Sequence, residues 1–230
     1  MLVTLHVWRV SRRELGTAYL RMATEPRRLR ALPGVRFAKV LGTGRGVTFG
    51  PGDADPTRFA ALVGWHSEKG DVSKVDERWS RKVRLDLTPL SSRGTWAGAN
   101  PFETTTAHRD GPVLVLTRAR LRPARALAFW RAIPQVAREV DAAPGLLARF
   151  GIGEAPIGWQ GTVSLWHTVT DLVQFAYRQP EHRAVVARTP VDRWYAEELF
   201  ARFAVRDIIG DKRVIGYRGS DISSRGQASA

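Results

Sequence analysis

The chain has 230 residues, 43% of them hydrophobic, and a formal net charge of +14. That length holds one large domain or two small ones, with enough apolar mass for a sizeable core. There is no cysteine, which excludes disulfides, thiolate-ligated haem, cysteine-bound iron–sulfur clusters, zinc fingers and cysteine nucleophiles.

The arginines are spread along the whole chain. The charge therefore reads equally as a compositional habit or as a basic face for nucleic acid, an anionic membrane or an acidic protein. No run approaches the ~18 apolar residues needed to cross a bilayer. The first strand-like run carries Arg9, Arg12 and Arg13 at its far end, the reverse of a secretory signal. A cytoplasmic protein is expected, at most peripheral to a membrane.

In chain order, Leu2 to Val10 alternates loosely and predicts a strand. Ser11 with Glu14 three residues on has capping-box spacing for a helix running to about Leu32, interrupted at Pro26. Pro33-Gly34 marks a turn. Strands follow at Val35 to Leu41, Thr57 to Trp65 and Val83 to Leu90, with a polar loop and short helix over 68–82. Ser91 to Ala107 reads as an irregular link. The order then recurs: a strand from Pro112 to Arg120, a helix from Ala124 to Val140 split by Pro134, a Pro144-Gly145 turn, and strands at Leu146 to Ile152 and Gly161 to Trp166.

The next stretch, from Thr168 on, opens as helix. Thr168 and Asp171 form a cap, and Leu172, Phe175 and Ala176 share a face. Pro180 kinks it or opens a second piece, in which His182 lies on the stripe of Val185 and Val186. An imidazole on such a stripe either hydrogen-bonds in the core or holds a ligand. Glu197 and Glu198 read as a helix surface or as groups orienting a ligand or proton path. Strands are expected at Ala201 to Val205 and Arg213 to Tyr217.

The halves match at particular points. Pro33-Gly34-Val35 answers to Pro144-Gly145-Leu146, Gly42-x-Gly44 to Gly151-x-Gly153, and Gly64-Trp65-His66 to Leu165-Trp166-His167. Each half reads β-α-β-β-(α)-β. The expected fold is α+β, with two ferredoxin-like βαββαβ repeats closing a dimeric-α/β-barrel-type fold within one chain. Its parts would be 1–108, 109–218 and a disordered tail at 219–230. A ligand would lie between a sheet and the His182 helix. Nucleotide motifs fail: Val47 stands where Gly42-x-Gly44 would need its third glycine, and no Gly-Lys-Ser/Thr or G-x-S-x-G occurs.

The segment Arg93-Gly94-Thr95-Trp96-Ala97-Gly98-Ala99-Asn100-Pro101-Phe102 resembles the R-G-x-W-x-G-x-x-P-F stretch of the spheroidene monooxygenase family. Leu116-Thr117-Arg118-Ala119, Gly151-Ile152-Gly153-Glu154, Ser164-x-Trp166, His182 and Trp194 to Phe203 resemble it in the same order. Two features depart from the pattern: His167, where the family often has proline, and the polar insert 67–80.

The resemblance implies a haem b monooxygenase that puts a keto group on an acyclic carotenoid, using dioxygen and electrons from an acidic ferredoxin-type donor. His182 would be the axial iron ligand and the catalytic centre. Arg93 and Arg118 would pair with the propionates. Trp65, Trp96, Phe102, Trp130 and Trp166 would line an apolar pocket. Two rival readings remain: a related haem enzyme on a nitrogen compound, of the aldoxime-dehydratase kind, and a non-enzymatic haem-, lipid- or nucleic-acid-binding barrel. Nucleic acid is not an expected partner, and homo-oligomerisation stays open.

Overall fold

A computed structural model of the chain describes residues 1–47, 51–67, 71–106, 110–122, 139–154, 159–178 and 195–219. Strand β1 (Leu2–Arg9) leads through a 3-10 turn into helix α1 (Leu15–Arg30). Then come β2 (Val35–Gly44), β3 (Ala54–Trp65), the short helix α2 (Ser73–Asp76) and β4 (Arg81–Gly94). The second half supplies β5 (Val113–Leu121), β6 (Leu146–Gly153), β7 (Trp159–Trp166), helix α3 (Val169–Arg178) and β8 (Tyr195–Gly210).

These strands close a barrel in the order β1-β3-β2-β6-β7-β5-β8-β4. Each half is a ferredoxin-like sheet, 4-1-3-2 in its own numbering, and the two join edge to edge. Closure removes the free sheet edges that would otherwise invite pairing with other chains.

The repeat holds at the level of atoms. Trp65 stands opposite Leu2 and Val35, and Trp166 opposite Val113 and Leu146. The same irregularity follows in β2 between Val35 and Phe37 and in β6 between Leu146 and Ala148. The His66 N–H donates to the Gly34 carbonyl at 2.9 Å, and the His167 N–H to the Gly145 carbonyl at 2.8 Å. The two joints are unequal. β4 and β8 pair from Val83↔Gly210 to Gly94↔Leu199, whereas β2 and β6 pair only at Gly42↔Gly153, Thr43↔Ile152 and Gly44↔Gly151.

Apolar side chains form three layers. One fills the barrel, with Val3, Leu5, Leu62, Leu85, Trp96, Phe102, Leu116, Phe150, Leu199 and Phe203 among its members. A second lies on the outer face of the first sheet and includes Trp8, Leu29, Phe59, Trp65 and Trp79. The third, on the outer face of the second sheet, has Val113, Leu146, Trp166 and Phe175. Both predicted caps are present: the Ser11 N–H donates to Glu14 Oε2 at 2.9 Å, and the Asp171 N–H to Thr168 Oγ1 at 3.0 Å.

The chain departs from expectation after residue 194. β8 begins at Tyr195, so Glu197 and Glu198 lie on a strand, and Lys212–Ile215 is a 3-10 turn rather than a strand. The reason is a period of two: Leu199, Ala201 and Phe203 are buried while Phe200 and Arg202 are half-buried. β4 likewise runs on to Gly94, beyond the predicted Leu90. The predicted helix over 124–140 lies almost wholly outside the described residues, as do Pro180, His182 and residues 220–230.

Candidate functional site

The R-G-x-W-x-G-x-x-P-F segment is a strap that leaves β4 and drops two rings into the barrel. Gly94 (φ +91°) lies so close to β8 that a Cβ there would stand 2.1 Å from the Glu198 carbonyl oxygen. Ala97 (φ 60°) and Gly98 (φ 84°) make a tight turn, closed by the Trp96 N–H on the Ala99 carbonyl at 2.7 Å. Trp96 and Phe102 are buried and meet Phe37 edge-on, with centroids 5.4 and 5.9 Å away.

Around Trp96 sit four charges. Arg118, 2% exposed, donates from Nη1 to Glu197 Oε2 and from Nη2 to Glu154 Oε2 at 2.8 Å. Its guanidinium carbon is 5.4 Å from the Trp96 ring centre. Lys39 Nζ lies 2.8 Å from Glu154 Oε1 and 5.8 Å from the same ring. Glu197 Oε1 also accepts from the Gly98 N–H at 2.9 Å and from Thr95 Oγ1 at 3.1 Å.

Burial alone would raise the Glu197 carboxyl. The Gly98 N–H and the Arg118 guanidinium outweigh burial and hold it down to about 2. Burial opposes ionisation of Glu154 as well, and Lys39, Trp96 and Arg118 keep it below the ordinary glutamate range. Two cations thus meet two carboxylates. Both acids are ionised at neutral pH and serve to anchor the strap rather than to pass protons.

Arg93 is elsewhere. It is exposed on β4, with its guanidinium 5.2 Å above the Phe200 ring. Cross-strand partners in register share a face. The pairings Gly151↔Thr162, Thr162↔Thr117, Thr117↔Phe200 and Phe200↔Arg93 therefore lay one row across the outer face of the second sheet. Arg93 stands at the rim of that row. Trp166 is on this same face, 5.3 Å from Phe175, with its N–H on Ser164 Oγ at 3.0 Å.

The equivalent face of the first sheet is filled. There Thr4, His6, Trp8, Ala61 and Val63 are all 0% exposed. His6 Nδ1 lies 2.9 Å from Asp76 Oδ2 and Nε2 lies 2.8 Å from Thr4 Oγ1. Trp8 donates to Asp76 Oδ1 at 2.7 Å and stacks on Trp79 at 4.8 Å. The matching positions in the second half are Val115, Thr117, Ala119, Thr162 and Ser164. All are small, and all but Ala119 are half-buried. A threonine replaces the imidazole and a methyl replaces the indole.

This floor suits a flat, largely apolar group such as haem, with a cation at its rim for a carboxylate. None of the described histidines is placed to hold a group on this floor. His6 has both ring nitrogens engaged, and His66 and His167 are exposed at strand ends. His182, His108 and Trp130 lie outside the described residues. Sequence reasoning grouped Arg93, Trp96, Phe102, Arg118 and Trp166. The structure separates them into an interior set (Trp96, Phe102, Arg118) and an outer-face set (Arg93, Trp166). It missed Lys39, Glu154, Thr117 and Thr162 as neighbours of these sets. The repeat itself carried the signal for the last two, because aligning β1 with β5 sets His6 against Thr117.

No family model matches the chain. Against solved structures, the fold is similar to a crystal structure of aldoxime dehydratase, with a TM-score of 0.63 and 10% identity, covering 93% of this chain and 85% of that one. A second aldoxime dehydratase, bound to butyraldoxime, gives a TM-score of 0.62 at 10% identity over 94% and 84%. Among characterised sequences, a spheroidene monooxygenase of Rhodobacter capsulatus is 33% identical over 201 residues, 82% of this chain and 79% of the relative. The spheroidene monooxygenase of Rubrivivax gelatinosus is 33% identical over 187 residues, 77% and 72% of the two chains. With this identity sustained over most of both sequences, the chain belongs to the spheroidene monooxygenase family.

Proposed function

We propose that the protein is a haem-dependent monooxygenase acting on a hydrophobic polyene of the carotenoid class, with dioxygen as oxidant and a ferredoxin-type protein as electron donor. The observation that carries this reading is the contrast between the two outer faces: the first sheet's is filled by His6, Trp8 and Trp65, whereas the second sheet's keeps a floor of Val115, Thr117, Ala119, Thr162 and Ser164. The relatives' activity supports the substrate class.

His182 holds the iron in this reading, and Arg93 at the rim takes a propionate. Arg118 would first have to release Glu154 or Glu197, so its part is to hold the strap. Haem bound there would supply oxygen activation for insertion into an unactivated C–H bond. The chain's own contribution is to exclude water and to orient the polyene. The valine and alanine side chains of the floor give the dry surface, and the paired Thr117 and Thr162 hydroxyls give its few polar contacts.

A visible spectrum of the protein expressed with excess haem precursor tests the reading. A Soret band that is lost in His182→Ala, with carotenoid oxidation lost in parallel, is the expected result. A protein that stays colourless with haem supplied rules the reading out.

A further inference from the structure

We infer that the outer face of α1 docks on an anionic lipid surface. α1 buries Ala18, Glu25 and Leu29 against the first sheet. On the far side, Gly16, Leu20, Ala23, Arg27 and Arg30 recur at spacings of four and three, and all are exposed. Leu20 is 74% exposed and its neighbour Tyr19 is 53% exposed, the two largest values among the exposed large apolar side chains of the described residues. Tyr19 turns its ring edge to Phe59, 5.6 Å away, whereas Leu20 protrudes from the helix, and an apolar side chain so exposed is costly to leave in water.

Arginines bracket that leucine: Arg12 and Arg13 before it, Arg27 and Arg30 after it, all exposed. None meets a carboxylate among the described residues. The nearby acids are turned to other tasks. Glu25 is buried with Arg28 and Arg78, and Glu14 caps the Ser11 N–H. The face is thus apolar at its centre and cationic at both ends. Interfacial helices have this pattern, seating the apolar ridge among headgroups while guanidinia meet lipid phosphates. An acidic protein would satisfy the arginines but would gain little from a single convex leucine, because stable protein interfaces need broad complementary patches. Among the described residues no helix is long and apolar enough to cross a membrane. The inference goes beyond the proposed chemistry and holds with or without haem.

Co-sedimentation of the full chain with vesicles tests it, comparing phosphatidylcholine alone with a phosphatidylcholine–phosphatidylglycerol mixture at low and high salt. Binding is expected only to the mixture, and should weaken as salt rises. Arg27→Gln with Arg30→Gln should weaken it about fivefold per arginine removed. Leu20→Ser should weaken it roughly tenfold, the value of one leucine removed from an apolar seat. All three positions are exposed, and circular dichroism checks that the variants keep the native fold. Absence of binding to the anionic mixture overturns the inference. So does binding that ignores both sets of substitutions. Loss of affinity for an acidic ferredoxin in the double-arginine variant, without vesicle binding by the parent chain, would assign the face to a protein partner instead.

Discussion

The two outer faces of the barrel come from one repeated plan and have opposite fates. On the first, β1 presents Thr4, His6 and Trp8, and these lock into Asp76, Trp65 and Trp79 until nothing is exposed. On the second, β5 presents Val115, Thr117 and Ala119 at the same places and leaves them half-covered or bordered by small neighbours. A duplicated scaffold can assign stability to one copy and ligand binding to the other. In the proposed haem reading, the larger side chains of the first copy serve stability and the smaller ones at matching positions of the second leave room for the ligand.

Exchanging the two faces' residues should break the symmetry of that division. Trp8→Ala removes a buried indole, its stack and its bond to Asp76, and should cost about 3–5 kcal/mol in denaturant unfolding. The reciprocal Thr117→His, combined with Thr162→Leu, fills two half-buried positions and should leave the melting temperature nearly unchanged. It should abolish haem uptake, read as loss of the Soret band on titration. If this pair unfolds the protein, the second face is packed like the first and the comparison fails.

Arg118→Met tests the interior set apart from the faces. It leaves the half-buried Glu154 and Glu197 without their shared cation, which should cost about 3–5 kcal/mol of stability. A smaller loss would mean that Lys39 suffices for Glu154, and the Gly98 N–H and Thr95 hydroxyl for Glu197.

Glu197 gives a pH signature. Its folded-state value of about 2 lies below the ordinary ~4.3 of glutamate. The stability it contributes is therefore fully present above the ordinary value and is lost as pH falls toward about 2. Glu197→Gln should flatten that part of the stability-versus-pH curve, and an unchanged slope would refute the assignment. Arg93→Gln should have the smallest effect. A rim cation is worth about 1 kcal/mol or less, so haem should dissociate a few times faster while the unfolding midpoint stays where it was.

Much of the scaffold could be read from the residues. The Pro-Gly turns, the Trp-His strand ends and the two helix caps are local signals, and each stands where its spacing predicts. The strand through Glu197 was hidden because Tyr195 to Phe203 offers two competing periods, and only pairing with β4 and β5 decides between them. The interior charges were illegible for a different reason. Arg118 and Glu197 are 79 positions apart, and no local pattern announces that partnership. The place of Arg93 at the rim depends on strand register, which a one-residue slip would reverse.

The unequal joints of the barrel have a consequence for how it moves. β4 and β8 run together over most of their length and act as a spine, while β2 and β6 touch through three residue pairs like the fore-edge of a closed book. Opening there needs few backbone bonds to break, and the charges around Trp96 are the clasp that holds it shut. Amide protons of Gly42 to Gly44 should accordingly exchange with solvent well before those of Val83 to Leu87.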